Sequence, residues 1–464
     1  MMSAHPIGSS MVGTEVAVLL DTFRRLIRRK ANANLQRLIK KTHAADLALL
    51  FRYFNEPEKS FVFTLIRESG EATGELLSEL DESIISELLS PLEPADVASM
   101  LSDMGSDDMA DILNLLEDEK AQAILETLQR KESEEIEELM AYADDSAGGI
   151  MSLDVFSLSE STKAMDAITA IQSSEKAEMV FYLYVTDEAS HLTGVVSLRD
   201  LVTAPASAEL KDLMERDVVH VTPDTDQEEV AKLVSKYNLL AIPVVEKDRT
   251  LLGIVTVDDV VDVIREEATE DFLQMAGIGK DREILMKSTF DNVKLRLPWL
   301  FASWIGGTIA AYVIGAFEPF LQSVIALAAF IPVIIGMGGN VGTQSSTIIV
   351  RGFATGRLQL SKVGSVIWKE IRVGLILGIF YGILLGAVAM LKFIDAPPEL
   401  GLVVGLAICV SMIIATSIGT LVPIVLRKLD VDPAIASGPF VTTAIDVFGL
   451  LAYFLIAISF IPSI

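Results

Sequence analysis

The chain has 464 residues, of which 64 are acidic and 37 basic, giving a net charge of −27, and it carries one cysteine. That length exceeds what a single core organises, so several domains are expected. The lone Cys409 excludes an internal disulfide framework or a cysteine-built metal site, which suits a reducing cytoplasm; the acidity excludes a nucleic-acid partner and favours attraction of cations.

The charge is uneven. From Lys294 onward ten basic residues stand against seven acidic ones, whereas residues 1–293 hold 27 basic and 57 acidic ones. An acidic half is therefore joined to a nearly uncharged, apolar half. Residues 1–20 read as a flexible N-terminus: Val16–Leu20 is too short for a signal peptide and no basic stretch precedes it.

Residues 21–145 show helical periodicity without strand-like runs. Pro94-Ala-Asp-Val-Ala-Ser-Met-Leu and Asp108-Met-Ala-Asp-Ile-Leu-Asn-Leu-Leu recur about 13 residues apart, which predicts short helices stacked as an all-α superhelical domain. Arg24, Arg25, Arg28, Arg29 and Lys30 form a basic patch on its first helix, read as a solvated face.

Residues 146–270 change character. Phe181-Tyr-Leu-Tyr-Val-Thr-Asp and Thr193-Gly-Val-Val-Ser-Leu-Arg-Asp return as Leu239-Leu-Ala-Ile-Pro-Val-Val and Leu252-Gly-Ile-Val-Thr-Val-Asp-Asp, with Ser197 and Thr256 marking a 59-residue repeat. Two such β-α-β-β-α units resemble an α/β tandem CBS pair. CBS pairs often bind adenine nucleotides, and the resemblance places a stacking aromatic at Tyr182 and ribose contacts at Ser197, Arg199 and Asp200, with ATP as a possible regulatory ligand. A Ser or Thr three residues before an acid is equally a helix capping box, so both readings stand. Downstream, Asp259, Asp262, Glu266 and Glu270 recur at helical spacing with Glu267 and Asp271 beside them. Such a stripe repels itself and is relieved by bound cations. Residues 271–293 read as a connecting helix.

Five apolar stretches, about 299–317, 320–350, 366–393, 400–425 and 434–461, can each cross a bilayer and make residues 294–464 a five-helix transmembrane domain. Lys287, Lys294 and Arg296 precede the first; Arg351, Arg357, Lys362, Lys369 and Arg372 lie around the junction of the second and third; Arg427 and Lys428 separate the last two. Every basic cluster thus falls on one side, which predicts a multi-pass inner-membrane protein with its N-terminus in the cytoplasm and its C-terminus outside.

Asp446 lies in the fifth stretch, where a carboxylate costs ~2.5–3.5 kcal/mol and cannot snorkel out, so a water-filled ion path is expected beside it. Pro439 and Thr442 share its helix face, and Pro439 cannot donate to the Ile435 carbonyl, which leaves a free acceptor. In the second stretch Pro332, Gly336, Asn340 and Gln344 recur every four residues, and Gly336, Gly338, Gly339 and Gly342 are read as lining the path. These hard oxygen donors suit Mg²⁺ or Ca²⁺. Gly374, Gly378, Gly382 and Gly386 read as a helix contact within or between subunits.

A helical domain, a CBS pair, a connecting helix and five spans, in that order, are similar to the MgtE family of Mg²⁺ transporters and channels. The match is carried by Pro332 to Gln344, Asp432-Pro-Ala to Asp446, Tyr142-Ala-Asp-Asp-Ser-Ala-Gly-Gly and Glu267-Ala-Thr-Glu-Asp271. The resemblance implies a homodimer in the lipid bilayer with a pore between subunits, hydrated Mg²⁺ near Asp446, and backbone near Gly338 to Asn340 helping to form that site. It further implies that cytoplasmic Mg²⁺ bridges Glu228, Asp259, Glu267, Glu270, Asp271 and Asp432 with Asp107, Asp108 and Asp111, drawing a helix at about 282–293 against the pore. The chain departs from the family at Asn238, where an acid is expected, and at Leu239, which offers no stacking aromatic. A membrane-anchored sensor of nucleotides or ions without transport is the alternative. Enzymatic activity is not expected, because an intramembrane aspartyl hydrolase needs two carboxylates sharing a proton and Asp446 is read as the sole deep one.

Overall fold

Short amphipathic phrases closed by proline, serine or aspartate at the next start cannot build long helices, and they do not. A computed structural model describes residues 13–69, 73–102, 104–173, 181–278, 284, 287–360, 363–429, 431–436 and 438–461. The chain divides into two units, Met1–Ile264 and Arg265–Ile464.

The first unit opens with α1 (Gly13–Arg28), α2 (Asn32–Ile39), α3 (Ala44–Phe51), α4 (Glu56–Ser69), α5 (Thr73–Ser78), α6 (Glu82–Leu89), α7 (Pro94–Leu101), α8 (Ser106–Asn114), α9 (Asp118–Leu125) and α10 (Arg130–Leu139). From α2 to α10 helices pack on the one two places ahead, α2 on α4, α3 on α5, α7 on α9 and α8 on α10, which makes the expected superhelix. Polar links repeat at the same interval: Arg52 forks onto Asp81 at 2.7 and 2.8 Å, Lys59 meets Glu87 at 2.5 Å, and the Ser86 hydroxyl donates to the Leu115 carbonyl at 2.9 Å. The α1 patch is partly consumed in this way, since Arg24 reaches Glu58 and the Tyr53 carbonyl and Arg25 reaches Asp21.

The CBS half follows as β1 (Ser157–Ser159), α11 (Ala164–Ser173), β2 (Tyr182–Thr186), β3 (Leu192–Ser197), α12 (Leu198–Thr203), α13 (Leu210–Leu213), α14 (Gln227–Tyr237), β4 (Ala241–Val245), β5 (Leu251–Thr256) and α15 (Val257–Met275). Strand β1 runs parallel to β2 and β2 antiparallel to β3, while β4 and β5 form their own antiparallel pair. The repeat is imperfect. In the second copy the opening strand shrinks to one parallel bridge from Val221 to Val244. Val221, Val230, Ile242 and Val255 share a continuous core with the superhelix through Ala147 and Met151, whereas Leu183, Val185 and Val196 of the first copy have a core of their own. The junction phrase Tyr142 to Gly149 secures this, with the amides of Ala147 and Gly148 donating to the Thr225 and Pro223 carbonyls.

In the second unit, α16 (Thr289–Ala316), α17 (Glu318–Ser323), a 3-10 turn at Ile325–Phe330, α18 (Ile331–Ala354), α19 (Val363–Lys392), α20 (Leu400–Lys428), a 3-10 turn at Pro433–Ala436 and α21 (Pro439–Phe460) complete the chain. Five helical stretches are long and apolar enough to cross a membrane, with α18 counted together with its 3-10 turn. Helix α20 is the hub, packed on α18, α19 and α21. Gly374, Gly378, Gly382 and Gly386 meet Thr416, Cys409, Gly405 and Gly401 in falling order, so α19 and α20 run antiparallel with backbones in contact. The glycine repeat is thus a contact within the chain. Tyr453 Oη donates to the Leu327 carbonyl at 2.8 Å and Phe317 stacks on Phe454 at 4.6 Å, tying α21 to the segment before α18.

Two boundaries differ from the hydropathy reading. The run 320–350 is broken by the 3-10 turn, and the run from 434 yields a helix only from Pro439. Both prolines occupy a first helical turn. There the missing N–H is no loss, so they open helices and leave no kinked, carbonyl-freed interior. Residues 271–293 are also not one described helix. Helix α15 ends at Met275, Gly277 turns the chain at φ 71°, and α16 begins at Thr289. Of the expected pore-closing stretch at about 282–293, residues 282, 283, 285 and 286 lie outside the described residues, and 289–293 form the first turns of α16.

Candidate functional site

The candidate path begins with how α18 sits against α21. Ile445 wedges between Gly338 and Gly342: a side chain at Gly338 would meet Ile445 Cγ2 at 3.0 Å and Ser411 Oγ at 3.1 Å, and one at Gly342 would collide with Ile445. This docking turns Asn340, midway between the two glycines, to the opposite side of α18. It also sets Asn340 at the level of Asp446, the residue after Ile445. Pro332, Gly336, Asn340 and Gln344 are all exposed, as one continuous stripe on a helix otherwise buried at Ile334, Gly338, Val341, Gly342, Ser345 and Ser346. On α21, Pro439, Thr442 and Asp446 are half-buried along one face. The Thr442 hydroxyl is turned back on the backbone, donating to the Gly438 and Pro439 carbonyls at 3.3 Å. With α21 starting at Pro439 and rising about 1.5 Å per residue, Asp446 stands roughly 10 Å inside the helix.

The glycine expectation is corrected in part. Gly336 and Gly339 have open space where a side chain would be, but Gly338 and Gly342 face the bundle. They serve packing, and their place in the site is limited to letting α21 approach.

A residue missed by sequence reasoning is Glu370 on α19, 6% exposed, whose Oε2 accepts a hydrogen bond from the Ser345 hydroxyl of α18 at 2.8 Å. Asp446 is therefore not the sole deep carboxylate. The sequence signal was available: Glu370 is four residues before Gly374, on the same face as the glycine series, but it stands between Lys369 and Arg372, whose charges draw attention to the basic cluster instead. Its bond goes to Ser345, on the buried side of α18, so it is not a proton-sharing partner of Asp446.

The acidic candidates separate into groups. Asp107, Asp108 and Asp111 share α8, a nine-residue helix, and the structure crowds them with Asp259, Asp144, Asp154 and Asp258. Burial first, and then the charges of Asp107, Asp108, Asp144 and Asp259, push Asp111 up to about 7. Asp111 is nonetheless exposed to water on one side, and solvent there screens its neighbours' charges. Asp259 is also pushed to about 7, mainly by burial, against the lowering hydrogen bond from Thr256. Burial and Asp154 raise Asp107. Among the described residues no three acidic, histidine or cysteine side chains stand at chelating distance. A site for Mg²⁺, which keeps several waters and uses one or two carboxylates, needs no such cluster.

The remaining candidates are individually engaged. Glu228 pairs with Lys232 at 2.7 Å. Asp432 accepts from the Ala434 amide at 2.8 Å and caps a 3-10 turn. Glu270 accepts from Gln274 Nε2 at 2.6 Å, and Glu267 and Asp271 are half-buried on the last turns of α15. Those turns lead to Gly277, which lies against the start of the Asp446 helix: a side chain there would meet Pro439 Cδ at 3.4 Å, and one at Gly438 would meet the Met275 carbonyl at 3.6 Å.

In the CBS pair the β2–β3 register sets Tyr182 opposite Ser197, with Arg199 and Asp200 exposed just beyond. The Ser197 hydroxyl accepts from the Asp200 amide at 3.1 Å and donates to its carboxylate at 2.6 Å, so the capping box exists. Thr256 repeats the side-chain bond with Asp259. Asn238 sits at φ 53° as the C-cap of α14, a left-handed position that asparagine tolerates far better than most residues.

Comparison with known proteins places these features. Residues 331–456 match the MgtE family model, described as a divalent cation transporter; residues 42–145 match the MgtE intracellular N domain, and 147–207 and 210–266 each match a CBS domain. The chain is 40% identical to the magnesium transporter MgtE of Bacillus subtilis, over 71% of this chain and 72% of that one. It is also 40% identical to the magnesium transporter MgtE of Thermus thermophilus, over 70% and 72%. A crystal structure of the cytosolic domain of the Mg²⁺ channel MgtE in complex with ATP superposes with a TM-score of 0.50 at 33% identity, covering 53% of this chain and 99% of that one. With the helical domain, the CBS pair and the membrane motif all matched in order, the chain belongs to the MgtE family of divalent cation transporters.

Proposed function

We propose that this protein carries Mg²⁺ across the cell membrane as a homodimer, with the N-terminal units in the cytoplasm and the C-terminus outside, and that cytoplasmic Mg²⁺ closes it. The carrying observation is the exposed polar stripe of α18 at the level of Asp446. An amide and a carboxylate left uncovered within membrane-spanning helices need water or a partner. A second subunit facing this stripe gives a path whose walls carry Asp446, Asn340, Gln344, Thr442 and the Gly339 backbone. Mg²⁺ gives up its waters reluctantly, so Asp446 holds the hydrated ion through them.

The shut-off is a population shift. Carboxylates at Asp107, Asp108, Asp111 and Asp259 repel one another unless protonated or bridged by a cation, and those pushed to about 7 give up their protons to water when the ion takes their place. Glu267, Glu270, Asp271 and Asp432 extend this sensor towards the mouth, and the Gly277 turn against Pro439 supports a mechanical link from α15 to the Asp446 helix. Glu228, already paired with Lys232, is the weakest sensor candidate. The related magnesium transporters of Bacillus subtilis and Thermus thermophilus support Mg²⁺ as cargo.

A second ligand has its own support. The adjacency of Tyr182, Ser197, Arg199 and Asp200, together with the ATP-bound relative, favours ATP as a regulator of the CBS pair. The test of transport is Mg²⁺ flux into proteoliposomes: Asp446→Ala is expected to reduce it to the protein-free leak, and flux equal to the parent would reject the path.

A further inference from the structure

The pair formed by Glu370 and Ser345 lies behind the candidate path, not in it, and packing alone does not explain it. A carboxylate buried among membrane-spanning helices is costly, and an alanine would occupy the position without that cost. Among the described residues no Lys, Arg or His pairs with Glu370. Its partner is the hydroxyl of Ser345, itself 3% exposed. One turn along, Gly374 meets Thr416, so the antiparallel register faces Glu370 towards Thr420, whose buried hydroxyl, like that of Ser346, has no hydrogen-bond partner among the described residues.

Between Gly338 and Ser346 the buried face of α18 is mostly small, Gly338, Gly342, Ser345 and Ser346 with Val341 among them, while its larger buried side chains, Ile334, Ile349, Val350 and Phe353, lie towards its two ends. Over that middle stretch two backbones approach closely, and few long side chains are available there to set the rotation of the helix. A hydrogen bond is directional. At about 100° per residue, Ser345 lies roughly 140° around the helix from Asn340. Holding Ser345 towards α19 therefore fixes Asn340 and Gln344 on the far side.

We propose that Glu370 is a positioning residue of the ion path: by accepting the Ser345 hydroxyl it sets the rotation of α18 and with it the presentation of Asn340 and Gln344. This rests on the reading that the exposed stripe of α18 lines the path. A hydrogen bond to a carboxylate is stronger than a neutral one, which suits a contact that must hold while ions pass.

The test is Mg²⁺ and Ca²⁺ flux into proteoliposomes for the parent, Ser345→Ala, Glu370→Ala, the double variant, Glu370→Gln and Ser345→Thr, with Asn340→Ala as a control on the path itself. The readout is the Mg²⁺-to-Ca²⁺ ratio, which is independent of how much protein folds. Ser345→Ala and Glu370→Ala are each expected to lower that ratio about tenfold, the scale of one hydrogen bond. The double variant is expected to match either single one, and Glu370→Gln and Ser345→Thr, which keep an acceptor and a donor, to recover most of the loss. Parental ratios in both alanine variants, or additive losses in the double variant, overturn the proposal. So does a Glu370→Gln variant as impaired as Glu370→Ala. If Asn340→Ala leaves flux and selectivity unchanged, the path reading fails; if it alters them while the Glu370 and Ser345 variants do not, this inference alone fails.

Discussion

Both halves of the molecule hold costly carboxylates, and they manage them in opposite ways. In the membrane unit the acids are solitary: Asp446 on a half-exposed face, Glu370 held by one hydroxyl. In the N-terminal unit they are crowded, with the charges of Asp107, Asp108, Asp144 and Asp259 adding to the burial that raises Asp111, and those of Asp107 and Asp108 adding to the burial that raises Asp259. A solitary charge meets a cation that passes; a crowd of charges is stabilised by one that stays. On the proposed function, this difference in arrangement would separate conduction from sensing, although both use the same functional group.

The comparison breaks most visibly at the sensor. Neutralising Glu267, Glu270 and Asp271 together is expected to abolish closure, so that uptake at high internal Mg²⁺ continues at the rate seen at low Mg²⁺. Normal shut-off in that variant would remove α15 from the sensor. A smaller effect follows from pH. Asp111 and Asp259 carry folded-state values of about 7 against an ordinary 3.8, so between about pH 4 and 7 the folded state binds more protons than the unfolded one. Stability is then lost as pH rises through that window, and a bound cation replaces the proton and cancels the loss. Lowering the pH from 7.5 to 6.5 is expected to raise the Mg²⁺ concentration needed for closure, by up to about tenfold per proton displaced, and Asp111→Asn with Asp259→Asn to flatten the dependence. An unchanged requirement across that pH step would contradict the crowding argument.

The smallest effect concerns the capping box. Ser197→Ala is expected to cost about 0.5–2 kcal/mol of stability through loss of a cap, read by denaturant unfolding. Tyr182→Ala is expected to weaken ATP binding, read by calorimetry, with the cap intact. Equal ATP affinity in the parent and Tyr182→Ala would leave Ser197 and Asp200 as capping residues only.

Much of this was legible in the sequence. Hydropathy located five spans, the 59-residue spacing located the CBS repeat, and the four-residue steps from Pro332 to Gln344 located the exposed stripe, because each is a periodicity that folding preserves. What stayed hidden depends on direction or on long-range neighbours. A glycine has no side chain to point, so Gly338 and Gly342 could not be told from Gly336 and Gly339 before Ile445 was seen between them. A proline reads alike as a kink or a helix start, and Pro332 and Pro439 proved to be starts. Glu370 was masked by Lys369 and Arg372, and the crowding of Asp111 by Asp144 and Asp259 joins residues far apart in the chain.

The central claim is that the Asn340 side of α18 faces water while its Gly342 side does not. In a Cys409→Ala background, single Cys substitutions at Asn340, Gln344 and Val341 can be exposed to a charged, membrane-impermeant thiol reagent in intact vesicles. The account predicts modification at Asn340→Cys and Gln344→Cys, slowed by Mg²⁺, and none at Val341→Cys. An unreactive Asn340→Cys that is labelled only by a lipid-soluble reagent would contradict it.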